Sequence, residues 1–64
     1  MKVKLTLDQN SSSSSRDDAL SQVMRDMGSK VTISGNVIVV EDGHEERNVI
    51  DVLNRKGVGY ARST

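Results

Sequence analysis

Few residues in this chain carry the side chains that catalysis, metal binding or ligand capture requires. His44 is the sole histidine, and it stands among Asp42, Glu45 and Glu46. Imidazole and carboxylates together are the raw material of a metal ligand set or an acid–base pair. The spacing argues against both. Near-adjacent residues at a helix start fan around the axis, and the residue one turn on from His44 is Asn48, a poor ligand. Acids at this place suit the positive end of a helix dipole, so capping and solvation are the expected roles.

The five serines Ser11 to Ser15 are the other conspicuous group. They fall where the first strand should pass into the first helix, a common place for phosphate loops and catalytic elbows. A serine nucleophile needs a positioned base and a set of oxyanion donors. The run itself offers no glycine, histidine or lysine. It reads as a flexible, solvated loop over residues 8–15, closed by Ser15 as the helix N-cap, with Asp18 three residues on. Phosphate added here would be stabilised near a helix N-terminus. No catalytic residue, metal ligand or cofactor is assigned, and the chain reads as non-enzymatic.

The basic residues point to binding. Lys2, Lys4 and Lys30 should share an open sheet face with Thr6 and Thr32, and Arg47, Arg55 and Lys56 lie on the second helix. Such groups can contact an RNA backbone. Sheet-type RNA readers also stack bases on aromatic side chains. Tyr60, the only aromatic residue, is expected mostly in the core, on the face of Val58. Val37 and Val39 are a separate candidate. They form either an apolar partner patch, with a homodimer contact through a sheet edge as a related option, or ordinary packing in a central strand.

Composition narrows the classes. With 64 residues and no cysteine, the chain is one small domain without disulfides or thiolate metal sites. Nine basic and nine acidic residues cancel. That argues against a strongly electrostatic nucleic-acid binder and leaves room for a local basic face. No apolar run approaches the ~20 residues of a membrane span. No signal-peptide pattern opens the chain, and a cysteine-free composition fits a cytoplasmic protein.

The elements that must position these residues follow from periodicity. Residues 2–7 alternate, with Val3, Leu5 and Leu7 facing one way, as in a half-buried strand. A helix is predicted from about Arg16 to Met27, with Ala19, Leu20, Val23, Met24 and Met27 on one stripe and Gly28 after its end. Strands are predicted over 30–34 and 37–41, joined by a tight turn at Ser34-Gly35-Asn36. The second of these, Val37-Ile38-Val39-Val40, is apolar on both faces, as a central strand would be. A second helix starts at Asp42 or Gly43, buries Val49, Ile50, Val52 and Leu53, and ends at Gly57 after Arg55 and Lys56. Val58 to Ala61 should form a last strand before a frayed tail at 62–64. The order β-α-β-β-α-β predicts an α+β two-layer sandwich, with a four-stranded antiparallel sheet and two helices on one face, as in ferredoxin-like folds.

Two family resemblances emerge from this pattern. Residues 28–58 resemble the single-domain translation initiation factors that help select the start codon. Gly28, Gly35, Val37-Ile38, Gly43-His44, Arg47, Val49, Leu53 and Lys56-Gly57 follow in that family's order, with a one-residue insertion near Asp42-Gly43. The resemblance implies a domain that contacts RNA or the ribosome. In that family a longer N-terminal hairpin with a basic loop makes contacts with the small subunit. Here the corresponding stretch is short and rich in serine. The size and strand order also resemble heavy-metal-associated domains. Those carry two cysteines in the loop after the first strand; serines stand there in this chain, which implies a scaffold for protein contact without metal carriage. The expected function is a small binding module contacting RNA or the ribosome through Lys2, Lys4, Lys30, Arg47, Arg55 and Lys56. The alternative is a protein-interaction module, natural or engineered, acting through Val37 and Val39.

Overall fold

The alternation of Lys2–Leu7 resolves as a strand in which every second residue, Val3, Leu5 and Leu7, is buried. A computed structural model describes all residues from 1 to 64. Its elements are β1 (Lys2–Leu7), α1 (Ser13–Met27), a single 3₁₀ turn (Gly28–Lys30), β2 (Val31–Ser34), β3 (Val37–Glu41), α2 (His44–Lys56) and β4 (Tyr60–Ser63). The strands form one antiparallel sheet in the order β2-β3-β1-β4. Both helices lie on one face, giving the α+β ferredoxin-like sandwich. Centrally placed β3 buries Ile38 and Val40 under the helices and leaves Val37 and Val39 half-buried on the other side.

The core is wholly aliphatic apart from Met27. Thirteen buried residues from all layers form one cluster, and Leu20, Ile33, Ile50 and Tyr60 pack against it partly buried. On α1 the buried stripe is Ala19, Val23 and Met27, one residue per turn. Met24, expected on that stripe, is 55% exposed. On α2 the buried face is Glu46, Val49, Val52 and Leu53.

Three boundaries differ from the sequence reading, each for a local reason. Helix α1 starts at Ser13, so Ser13 to Ser15 belong to its first turn and not to a loop. Its N-cap is Ser12, whose Oγ accepts the Ser15 amide at 3.1 Å. The start is held by the preceding turn. The Asp8 carboxylate accepts the Asn10 amide at 3.0 Å, the Asp8 carbonyl accepts the Ser11 amide at 3.1 Å, and Ser11 Oγ accepts the Gly59 amide at 3.3 Å. With Ser11 occupied, the next serine caps.

The second difference is Lys30, which is drawn into the 3₁₀ turn, so β2 begins at Val31. The third is β4. Gly57 takes a left-handed φ of 71°, a conformation open to glycine and strained for other residues. Its amide donates to the Asn54 carbonyl at 3.2 Å and the Val58 amide to the Leu53 carbonyl at 2.9 Å. This is a Schellman closure. It uses the Val58 amide to cap the helix and buries the Val58 side chain in the core. The strand therefore starts at Tyr60 and pairs with β1 as far as Ser63 opposite Lys4, so residues 62 and 63 are paired strand and not a frayed tail.

Candidate functional site

The helices cover one face of the sheet, and the other face is open. Residues directly opposite each other in neighbouring strands point to the same side, so the registers give this face as a grid. One row runs Thr32, Val39, Lys4, Ser63 across β2, β3, β1 and β4; the next runs Ser34, Val37, Thr6, Ala61. Below the first row Glu41 stands opposite Lys2. Val37 and Val39 are half-buried, and every other member of the grid is exposed. Two valines thus lie at the middle of an otherwise polar surface, with Lys4 against Val39.

Charge on this face is sparse and mostly of one sign. Lys2 and Lys4 take part in none of the ion pairs of the fold. Glu41, the one acid on the grid, accepts from the Met1 ammonium at 2.7 Å, and Asp42 joins it at 3.2 Å. Its hydrogen bonds to Glu41 first and Asp42 second raise the pKa of the Met1 amine above its ordinary value. One ammonium thus serves two carboxylates, and Glu41 also stands opposite Lys2, so Lys4 is the cation of this face with no acid opposite it.

The six basic residues read from the sequence do not converge. Lys2 and Lys4 lie on the open face, and Lys30 sits in the turn just before β2. Arg47 is in the first turns of α2, on the helix layer. Arg55 and Lys56 are at the far end of the same helix, where the Arg55 Nε donates to the Asp51 carbonyl at 3.5 Å and Lys56 pairs with Asp18 at 3.5 Å. Val37 and Val39, by contrast, are neighbours on one face, as their alternation requires.

Capping and solvation, the roles expected for the group around His44, do not describe all of it: α2 starts at Gly43 without a side-chain cap, and Asp42 pairs with the Met1 ammonium. His44 is exposed while Glu46 is turned into the fold, and no three acidic and histidine residues of the group come together. Glu46 is the residue that sequence reasoning missed. Its carboxylate is the one buried charged group, and Arg62 of β4 grips it with both Nε and Nη2, the latter at 3.4 Å. This contact raises the Arg62 guanidinium pKa further, first through the hydrogen bond and then through the charge of Glu46. A signal existed for Glu46, which shares helical spacing with buried Val49 and Leu53. None existed for Arg62, whose partner lies 16 residues away in sequence.

Tyr60 stands opposite Leu7 on the helix side of the sheet and is half-buried against the core. It offers no stacking platform to the open face. In comparisons with known proteins, the chain matches no family model, and no curated protein or solved structure shows significant similarity to it.

Proposed function

We propose that this chain is a non-catalytic module that binds a protein partner through the open face of its sheet. The observation that carries the reading is the pair Val37 and Val39, half-buried at the centre of an uncovered face. Sheets with one solvated face normally alternate apolar and polar residues, with the polar set outward. β1 obeys this rule with Lys2, Lys4 and Thr6 outward; β3 breaks it, with valines on both sides. A small apolar centre with a polar rim is the usual anatomy of a protein contact.

The RNA-contacting role implied by the resemblance to the translation initiation factors has weaker support. It rests on Lys2, Lys4 and Lys30 alone, since Arg47, Arg55 and Lys56 belong to the helix layer. Two or three phosphate contacts give little affinity at physiological salt. Base stacking has no aromatic partner on this face.

Photo-crosslinking separates the two readings. A photoreactive residue at Thr32 or Ala61 reports on the open face, and one at Ser21 reports on the exposed side of α1. Irradiation in lysate should give protein adducts from positions 32 and 61 and none from 21. Val37→Thr with Val39→Thr should remove them. Ribonuclease-sensitive adducts at 32 and 61 would overturn the protein reading in favour of RNA.

A further inference from the structure

The two edges of the sheet, β2 and β4, are not alike, and the difference singles out one of them. We infer that β4 is a self-pairing edge: two copies of this chain join antiparallel through Tyr60–Ser63 across a two-fold axis and form one eight-stranded sheet. This goes beyond the open-face reading, because it concerns the margin of the sheet and leaves the uncovered face free.

Hydrogen bonds fix which backbone groups of β4 are free. The Asp8 amide donates to the Gly59 carbonyl at 2.9 Å, so these residues, next after Leu7 and Tyr60 in the register, form a hydrogen-bonded pair. Bonded and non-bonded pairs alternate along an antiparallel ladder. Ala61 and Ser63 therefore bond to Thr6 and Lys4, and the N–H and C=O groups of Tyr60 and Arg62 point away from β1. None of these four groups is taken by a turn or a cap. The other edge is different. The Leu7 amide donates to the Asn36 carbonyl at 2.7 Å, so by the same alternation Ile38 and Val40 bond to β1, and Val37 and Val39 to β2. Val31 and Ile33 are then the outward residues of β2, but the Val31 amide is spent on the Gly28 carbonyl in the 3₁₀ turn. Only β4 presents a complete set of donors and acceptors.

That set complements itself. With Ala61 on the two-fold axis, Tyr60 of one copy lies opposite Arg62 of the other. Each such pair exchanges two N–H···O bonds, so every outward group is used. Ala61 meets its own mate at a non-bonded position, where Cα atoms approach to ~4.5 Å, and its methyl group fits there. Gly59 falls opposite Ser63. No like charges are opposed, since each Arg62 faces a tyrosine and is held by Glu46 of its own copy. Tyr60 and Ile50 are both half-buried. Ile50 stands one turn beyond Glu46, the residue that reaches β4, so both leave apolar surface at this margin for a second strand to cover. Edges that stay single are commonly blunted by lysine, proline or a bulge; β4 has none of these. Two-fold dimers with one self-complementary patch are also the commonest closed assembly.

The test uses the full chain. Light scattering and nitrogen-15 amide spectra are followed on dilution from about 1 mM, a range suited to a short edge contact. A dimer-to-monomer shift should appear, with amide shifts centred on residues 60–63. Ala61→Glu and Ala61→Lys each set like charges directly opposite one another. Either variant alone should be shifted to monomer, and an equimolar mixture of the two should recover the dimer. Position 61 is exposed, so the far-ultraviolet spectra should match the parent. Ala61→Cys introduces the only thiol of the chain, at a pair spacing that suits a disulfide. In a glutathione buffer it should give several-fold more covalent dimer than Thr32→Cys, an exposed position of the β2 edge on the same face.

A chain that stays monomeric at the highest concentration would overturn the inference. So would a dimer indifferent to Ala61→Glu, a charge-swapped mixture that stays monomeric, or equal linkage from positions 61 and 32.

Discussion

Ser12 shows how much a single residue depends on its surroundings. Five identical side chains compete to start α1, and all have the hydroxyl that caps a helix. Ser12 wins because Ser11 is held by the Gly59 amide and the Asp8 turn sets the chain direction. Ser15, the expected cap, is instead the third helical residue, and its Oγ accepts from Ser12 Oγ at 2.9 Å. The two serines are therefore not equivalent. Ser12→Ala should lower stability by about 1 kcal/mol, the usual cost of a lost N-cap. Ser15→Ala should cost less, because the Ser12 cap on its amide survives. Chemical denaturation of the two variants side by side measures the difference. The first turn of α1 also holds no acidic residue, so Ser15→Glu should stabilise by roughly 0.3–1 kcal/mol through the helix dipole.

At the level of elements, β4 is the piece held by the fewest side chains. It has four residues, only Tyr60 is even half-buried, and it is an edge strand. Two features compensate. The Schellman closure buries Val58 and delivers the chain to the sheet edge, and Arg62 reaches across to the carboxylate of Glu46 on α2. The ion pair ties the sheet edge to the helix layer at a point where Glu46 has little access to water. Removing Arg62 strands a buried carboxylate, whereas removing both partners does not. Arg62→Met and Glu46→Leu should each destabilise the fold, and the double variant that combines them should be more stable than the sum of the two single losses predicts. A double-mutant cycle by urea denaturation checks this. Additive losses would mean that the pair contributes no coupling. Amide exchange in β4 should accelerate in Arg62→Met before exchange in β1 does.

At the scale of the whole molecule, stability comes from one aliphatic cluster. The radius of gyration is 10.2 Å, against ~10.7 Å expected for a chain of this length. Valine, leucine and isoleucine therefore close the interior without a buried aromatic ring. For a domain this small the total stability is of the order of 3–10 kcal/mol. Leu5 is fully buried at the centre of the sheet, and Leu5→Ala should cost about 2–5 kcal/mol. Much of the stability would then be lost, and thermal unfolding should shift sharply downward. A variant on the open face, Val39→Thr, should shift it far less, because that side chain retains contact with solvent. Calorimetry on both variants tests whether the two faces of β3 differ as the fold requires.

Sequence alone determined the order of elements, the inward set of β1, the tight turn at Gly35 and the ends of both helices at glycine. These follow from period, turn chemistry and capping, all of which act within a few residues. It also carried the double-sided character of β3, and with it Val37 and Val39 as neighbours on a face. Tertiary structure alone decided the rest. It chose which serine caps α1, where β4 begins and that Arg62 pairs with Glu46. In each case the partner lies in another element, and a long-range hydrogen bond or shared buried face outweighs a local preference worth about 1 kcal/mol or less.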